Sequence, residues 1–199
     1  MGEYATLEIP KLAEQKLSLV KNRCNKSKII EFTISLKTEI NPSDSHIKNV
    51  ILLLCQFSNF HGDKDFKKMK REDVLNFLQS FRKSEVEDPQ HRWIGTHNLY
   101  FQYLLRFFRW YYYPLVEQKK RPRPDVMENI TQIKRKEKSI YRPDDLWTIE
   151  DDLLFLKYCP SKRDKCYHMM SRDTACRPSE ILKLRLKDVS FEIRRKTIC

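Results

Sequence analysis

Residues 96–113 read THNLYFQYLLRFFRWYYY and are followed by Pro114. Tyr100, Tyr103, Leu104, Phe107, Phe108 and Tyr111 recur at three- and four-residue intervals, which places them on one face of a helix. Thr96 is suited to cap that helix and Pro114 to stop it. A face this aromatic has to be buried against other helices. Trp110 and Tyr111 to Tyr113 could stack on bases, but their spacing favours core packing for most of them.

Working back from this stretch, the apolar pattern repeats. Val74, Leu75, Phe77, Leu78 and Phe81 predict a helix, separated from the aromatic one by a polar loop over residues 84–92. Ile47, Val50, Ile51, Leu54, Phe57 and Phe60 predict another, capped by Ser43 or Ser45 and closed by Gly62. Ile29, Ile30, Phe32, Ile34 and Leu36 predict a first one, ending before Asn41-Pro42. Four amphipathic helices with short links make a compact all-α domain over residues 27–114. Residues 1–26 form a lead-in with a short helical stretch over 11–23.

Working forward, the composition changes. Residues 114–142 hold nine Lys and Arg against four Asp and Glu, and Pro122 and Pro124 stiffen their start. This reads as a basic linker over residues 115–143, with a helical segment over 126–138. A second domain over residues 144–199 opens with Thr148 and Asp151 in a capping-box arrangement. Helices are expected after Thr148, over residues 163–171 and from Pro178, and a first strand over residues 189–198, whose alternation includes β-branched residues.

Composition limits the function classes. The chain has 199 residues and a net charge of +12, so a polyanion is the expected partner. The three glycines, Gly2, Gly62 and Gly95, form no phosphate-binding string, so no nucleotide cofactor is expected. The six cysteines are dispersed and no apolar leader precedes them, which reads as reduced thiols in the cytoplasm. The longest apolar run, residues 50–55, is too short to cross a bilayer, so no membrane partner is expected. Cys159, Cys166, His168 and Cys176 lack the tight pairing of a structural zinc site, and no metal is assigned.

The string with most chemical content is DTACRPSEILKLRLKDV, residues 173–189. Arg177 lies just before a helix with Pro178 at its first position, and Glu180 is placed to pair with its guanidinium. A guanidinium at a helix start is well shaped to grip a phosphate. Alone, an Arg-x-x-Glu pair is most often an ordinary surface ion pair.

The string resembles the first arginine box of the tyrosine recombinase (phage integrase) family. Thr174, Arg177, Ser179, Glu180, Ile181, Leu182, Leu184, Asp188 and Val189 match the family pattern without a gap. Ala175 stands where the family usually has glycine. Residues 96–113 resemble the last helix of the family's core-binding domain, and WTIED at 147–151 resembles the opening of its catalytic domain, in a style closer to the archaeal type. The resemblance implies a mainly α chain: a four-helix SAM-like core-binding domain, then a truncated, mostly helical start of an α+β catalytic domain.

It also implies a partner, double-stranded DNA, and contact with other recombinase subunits, in a cytoplasmic, nucleoid-associated protein. Arg177 would stabilise charge on the scissile phosphate and Glu180 would orient it, with no metal or cofactor. The family's lysine, His-x-x-Arg box and nucleophilic tyrosine follow the first strand. Every tyrosine here precedes Arg177, so activity by this chain alone is not expected. The candidate phosphate contacts are Lys67, Lys68, Lys70, Arg71, Arg106 and Arg109 on the helical domain. Lys119, Lys120, Arg121, Arg123, Lys134, Arg135 and Lys136 are those on the linker. A stand-alone DNA-binding module that competes with an intact recombinase, and a helical interaction protein, are the alternatives.

Overall fold

The computed structural model describes residues 10–135 and 145–190. The chain divides into two compact units between Glu137 and Lys138. Among the described residues the structure is mainly helical, with eight α-helices and no strand. No described helix is long and apolar enough to cross a membrane.

The first unit contains α1 (Lys11–Ser18), α2 (Arg23–Ile40), α3 (Asp44–Phe60), α4 (Arg71–Gln79) and α5 (Trp93–Tyr112). Local chemistry sets most of the ends. Asn22 caps α2 by accepting from the Cys24 and Asn25 N–H groups, and Asn41 closes it in the left-handed region at φ 42°. Of the two serines before α3, Ser43 is the cap, accepting from His46 N–H. Gly62, at φ +59°, provides the left-handed residue just past α3.

Most of the periodic residues meet where the spacing predicts, but Ile34 and Phe60, expected on buried faces, are exposed. α3 lies against α1, α2 and α5, and α5 also touches α2 and α4. Phe107 is fully buried, with its ring 5.3 Å from Phe32 and 5.0 Å from Phe66. Phe57 meets Phe77 edge-on at 5.1 Å. Each such ring contributes roughly 1.5–3 kcal/mol by burial, and edge contacts add to it. Trp110 belongs to this core, tilted against Phe32 at 5.2 Å, while Tyr112 is exposed.

Three features of the first unit differ from the expectation. First, α5 begins at Trp93, three residues before Thr96, because Asp88 across the preceding turn accepts from Trp93 N–H at 2.9 Å. Burial of Trp93 and Ile94 holds that extra turn. Second, the lead-in is part of the fold: the expected helix over 11–23 stops at Ser18, α2 already starts at Arg23 behind the Asn22 cap, and Ala13, Leu17 and Val20 are buried in the common core. Third, the described part of the basic segment is packed against the helices. Val126, Met127 and Ile130 enter the same core.

That third difference removes the expected helix over 126–138. Only a 3-10 turn, Asp125–Met127, forms there. Asn129 then turns left-handed at φ 56°. Asn98 of α5 binds both backbone groups of Ile133, each at 2.9 Å, so this stretch spends its hydrogen bonds on a side chain instead of on a helix. Residues 136–138 lie outside the described residues.

The second unit contains α6 (Ile149–Tyr158), α7 (Lys162–Thr174) and the single turn α8 (Pro178–Ile181). Thr148 and Asp151 form a reciprocal cap at the start of α6. Asp152 on α6 is buried and joins α7, forming an ion pair with Arg172 Nε at 2.8 Å and lying 2.9 Å from His168 Nε2. Ile181 is the one buried apolar residue among those described in this unit. The expected strand over 189–198 falls mostly on residues 191–199, outside the described residues, and Val189 itself is extended.

Candidate nucleic-acid interface

The end of the first unit that carries the N-terminus of α2 is organised by one buried side chain. Asn25 donates to Ser58 Oγ and to the Lys64 carbonyl, both at 2.9 Å, and accepts from Phe66 N–H at 3.0 Å. These bonds pin the 3-10 turn Phe66–Lys68 beside α2. They leave Lys67 and Lys68 exposed on a turn tied to α2, and Lys21 and Arg23 are exposed where α2 begins.

The acids of this loop are largely occupied within the fold. Asp63 accepts from Ser58 Oγ at 2.8 Å and from Lys21 N–H at 2.9 Å. Asp73 accepts from Lys64 Nζ at 2.6 Å and from Lys70 N–H at 2.7 Å. Burial works against ionisation of Asp73, but the bonds from Lys64 and Lys70 outweigh it, so its pKa lies below the usual carboxylate range. His61, 3.9 Å from Asp73, is held below its ordinary value because its burial outweighs that carboxylate. We therefore treat the His61–Asp73 contact as neutral imidazole beside a carboxylate.

Next to this loop, a cleft of about 330 Å³ is lined by Lys70, Arg71, Tyr112, Tyr113, Asp125 and neighbouring apolar residues. Lys70 is exposed, whereas Arg71 is half-buried and its Nε donates to the Glu128 carbonyl at 2.8 Å. Asp125 is the one acid of the lining. The cleft brings the start of α4 to the C-terminal end of α5.

A second, smaller cleft runs along α5. Gln102, Arg106 and Arg109 share one stripe of that helix, and Gln118 and Arg121 fold back over it. Arg106 Nη1 lies 3.4 Å from His46 Nε2. Burial, aided by Arg106, keeps the His46 imidazole below its ordinary pKa, so the neutral ring can accept from the arginine.

The basic residues expected from sequence thus separate into groups. Lys67, Lys68, Lys70, Lys119 and Lys120 are exposed, with Lys120 paired to Glu117 at 2.8 Å. Arg106 and Arg109 line the α5 cleft. Arg123 donates to the Ile130 carbonyl and lies over the Phe101 ring, and Arg135 donates to the Gln90 carbonyl, so both brace the packed segment. Lys134 is exposed, and Lys136 lies outside the described residues.

Arg121 is a correction. Its side chain is only 5% exposed, and its guanidinium forms a two-pronged pair with Glu39. Nε donates to the Tyr113 and Val116 carbonyls at 3.1 and 2.9 Å. A guanidinium used in this way holds the chain reversal after α5 and is withdrawn from the phosphate contacts. Conversely, Lys21 and Arg23 join the basic end although no local pattern singles them out. The ties from Lys21 and Asn22 to Asp63, and from Asn25 to Lys64 and Phe66, hold their segment against that loop.

In the second unit, Arg177 precedes α8 and is 84% exposed on its side chain. Its N–H donates to Glu180 Oε2 at 2.8 Å, and its Nη1 lies 3.6 Å from Glu180 Oε1. Glu180 therefore caps the turn, and its carboxylate lies within ion-pair distance of the guanidinium. Ala175, where the resembled family has glycine, takes the left-handed conformation at φ 52°. Burial pushes the Cys55 thiol up to about 12, which leaves it an inert core residue.

No family model, curated protein or solved structure matches the chain.

Proposed function

We propose that this chain binds double-stranded DNA through the basic end of its first unit, as the core-binding portion of a tyrosine recombinase. The observation that carries this reading is the exposure of Lys21, Arg23, Lys67 and Lys68 on two segments tied together by Asn25 and Asp63, where the loop acids Asp63 and Asp73 are already hydrogen-bonded internally. Such a surface attracts a polyanion without first breaking strong ion pairs. The sequence resemblance supplies the finer reading: a SAM-like first domain and the opening of an α+β catalytic domain. In it Arg177 would bind the scissile phosphate, steadied by Glu180.

The test is duplex binding measured by fluorescence anisotropy across a salt series. Four to six phosphate contacts predict a log–log slope of roughly −4 to −5. Replacing both Lys67 and Lys68 by Gln should make it shallower by about 2. A wild-type slope close to zero would end this reading. The exposed Leu153, Leu154, Tyr158 and Leu182 on α6 and after α8 favour a second one, a helical interaction protein. Failure to retard any duplex at low salt would select it.

A further inference from the structure

We infer that the α5 cleft is a seat for a single phosphoryl group, held by Arg106 and Arg109 with the Gln102 and Gln118 amides beside them. The seat rests on the DNA-binding reading only for the source of that group, not for its existence.

Three observations carry it. The first is an unmet donor: Arg109 lines the cleft, and its Nε–H is buried with no acceptor. A buried donor on a charged group left in this way costs about 1–3 kcal/mol or more. The Nε–H itself is closed to solvent, so an arriving oxyanion would meet the terminal nitrogens of the same fork, which have no acceptor among the described residues. The second is charge. Among the described residues neither Arg106 nor Arg109 is paired with a carboxylate, and Arg106 has only the neutral His46 as partner. The nearby acid, Glu39, is already held by Arg121 and by Ser35 Oγ at 2.8 Å. Those bonds outweigh its burial and keep its pKa below the usual range. Glu39 and Arg121 cancel each other, so the cleft keeps the charge of two arginines.

The third is size and shape. The cleft measures about 150 Å³, the liquid volume of about five waters. That is room enough for one tetrahedral oxyanion. Planar guanidinium forks match phosphate oxygens in pairs, and the two amides can donate to an ester or protonated oxygen that carries less charge. The group could be a backbone phosphate of DNA or a free phosphate ester, and both present the same oxygens.

The experiment follows the Arg109 Nε–H resonance of the full chain by NMR while inorganic phosphate is added, with chloride at equal ionic strength as the control. A parallel titration uses a duplex. We expect phosphate, and not chloride, to shift this resonance. Arg109→Lys, which retains the charge and most of the stem but lacks the fork, should weaken phosphate binding about tenfold or more. Unchanged circular dichroism would show that the variant is folded.

If the duplex moves the same resonance, and Arg109→Lys weakens duplex binding too, the seated group is a DNA phosphate. If only free phosphate moves it, the seat stands and its ligand is a free phosphate ester. If neither moves it, the inference is overturned, even where the duplex still binds with a steep salt slope through Lys67 and Lys68.

Discussion

Replacing Arg121 by Met separates a structural arginine from a DNA-binding one. The guanidinium is almost fully buried and binds the Glu39 carboxylate with both terminal nitrogens. Removing one member of a buried ion pair costs about 3–5 kcal/mol, because the other charge is left without its partner. Glu39 keeps 26% of its side chain exposed, so water offsets part of this loss and the lower end applies. The Tyr113 and Val116 carbonyls also lose a donor, each adding up to about 1 kcal/mol. A loss of roughly 3–4 kcal/mol is therefore expected in urea unfolding followed by circular dichroism, with an unchanged denaturant slope.

Adding Glu39→Leu should restore most of the stability, since an apolar pair of similar volume can replace a buried ion pair. Duplex affinity of the still-folded Arg121→Met protein should keep its salt slope. The reasoning fails if the single variant loses less than about 1 kcal/mol and the slope becomes shallower by about one. That outcome would return Arg121 to the phosphate contacts.

Asn25→Ala should orphan the Phe66 N–H and the Lys64 carbonyl, costing roughly 2–4 kcal/mol in the same urea assay, and should speed amide exchange over residues 64–68. Ala175→Gly should stabilise the end of α7 by about 1 kcal/mol, because glycine takes φ 52° without the clash of a Cβ. Slower exchange in the last turn of α7 would show it, and faster exchange would refute it. His46, His61 and His97 all have pKa values lowered first by burial, so the folded protein binds fewer protons than the unfolded chain. Their contribution is complete above the unfolded value of about 6.5 and is lost as pH falls through the folded values. Glu39 and Asp73, lowered in the folded state, add a second loss below about pH 4. Thermal melts from neutrality downward should show both stages, and a flat profile between about pH 7 and 5 would contradict the histidine assignment.

The sequence by itself determined the helices whose apolar residues recur within four positions and whose caps lie next to them. The end of α2 before Asn41, α3 with its cap at Ser43 or Ser45, and α6 with Thr148 and Asp151 were legible because those determinants are local. The Arg177–Glu180 pair, three residues apart on one turn, was legible for the same reason. Tertiary structure alone decided what distant partners do. Charge composition marks Arg121 as basic, but Glu39, 82 positions away, determines that it braces the fold. The aromatic face of α5 could be read from its spacing, whereas its polar stripe became a cleft only when residues 118–121 folded back over it. Asn98 likewise holds residues predicted as helix in a non-helical segment by binding Ile133, 35 positions on. Periodicity records which face of an element is buried, and only the packed chain determines which buried donor meets which acceptor.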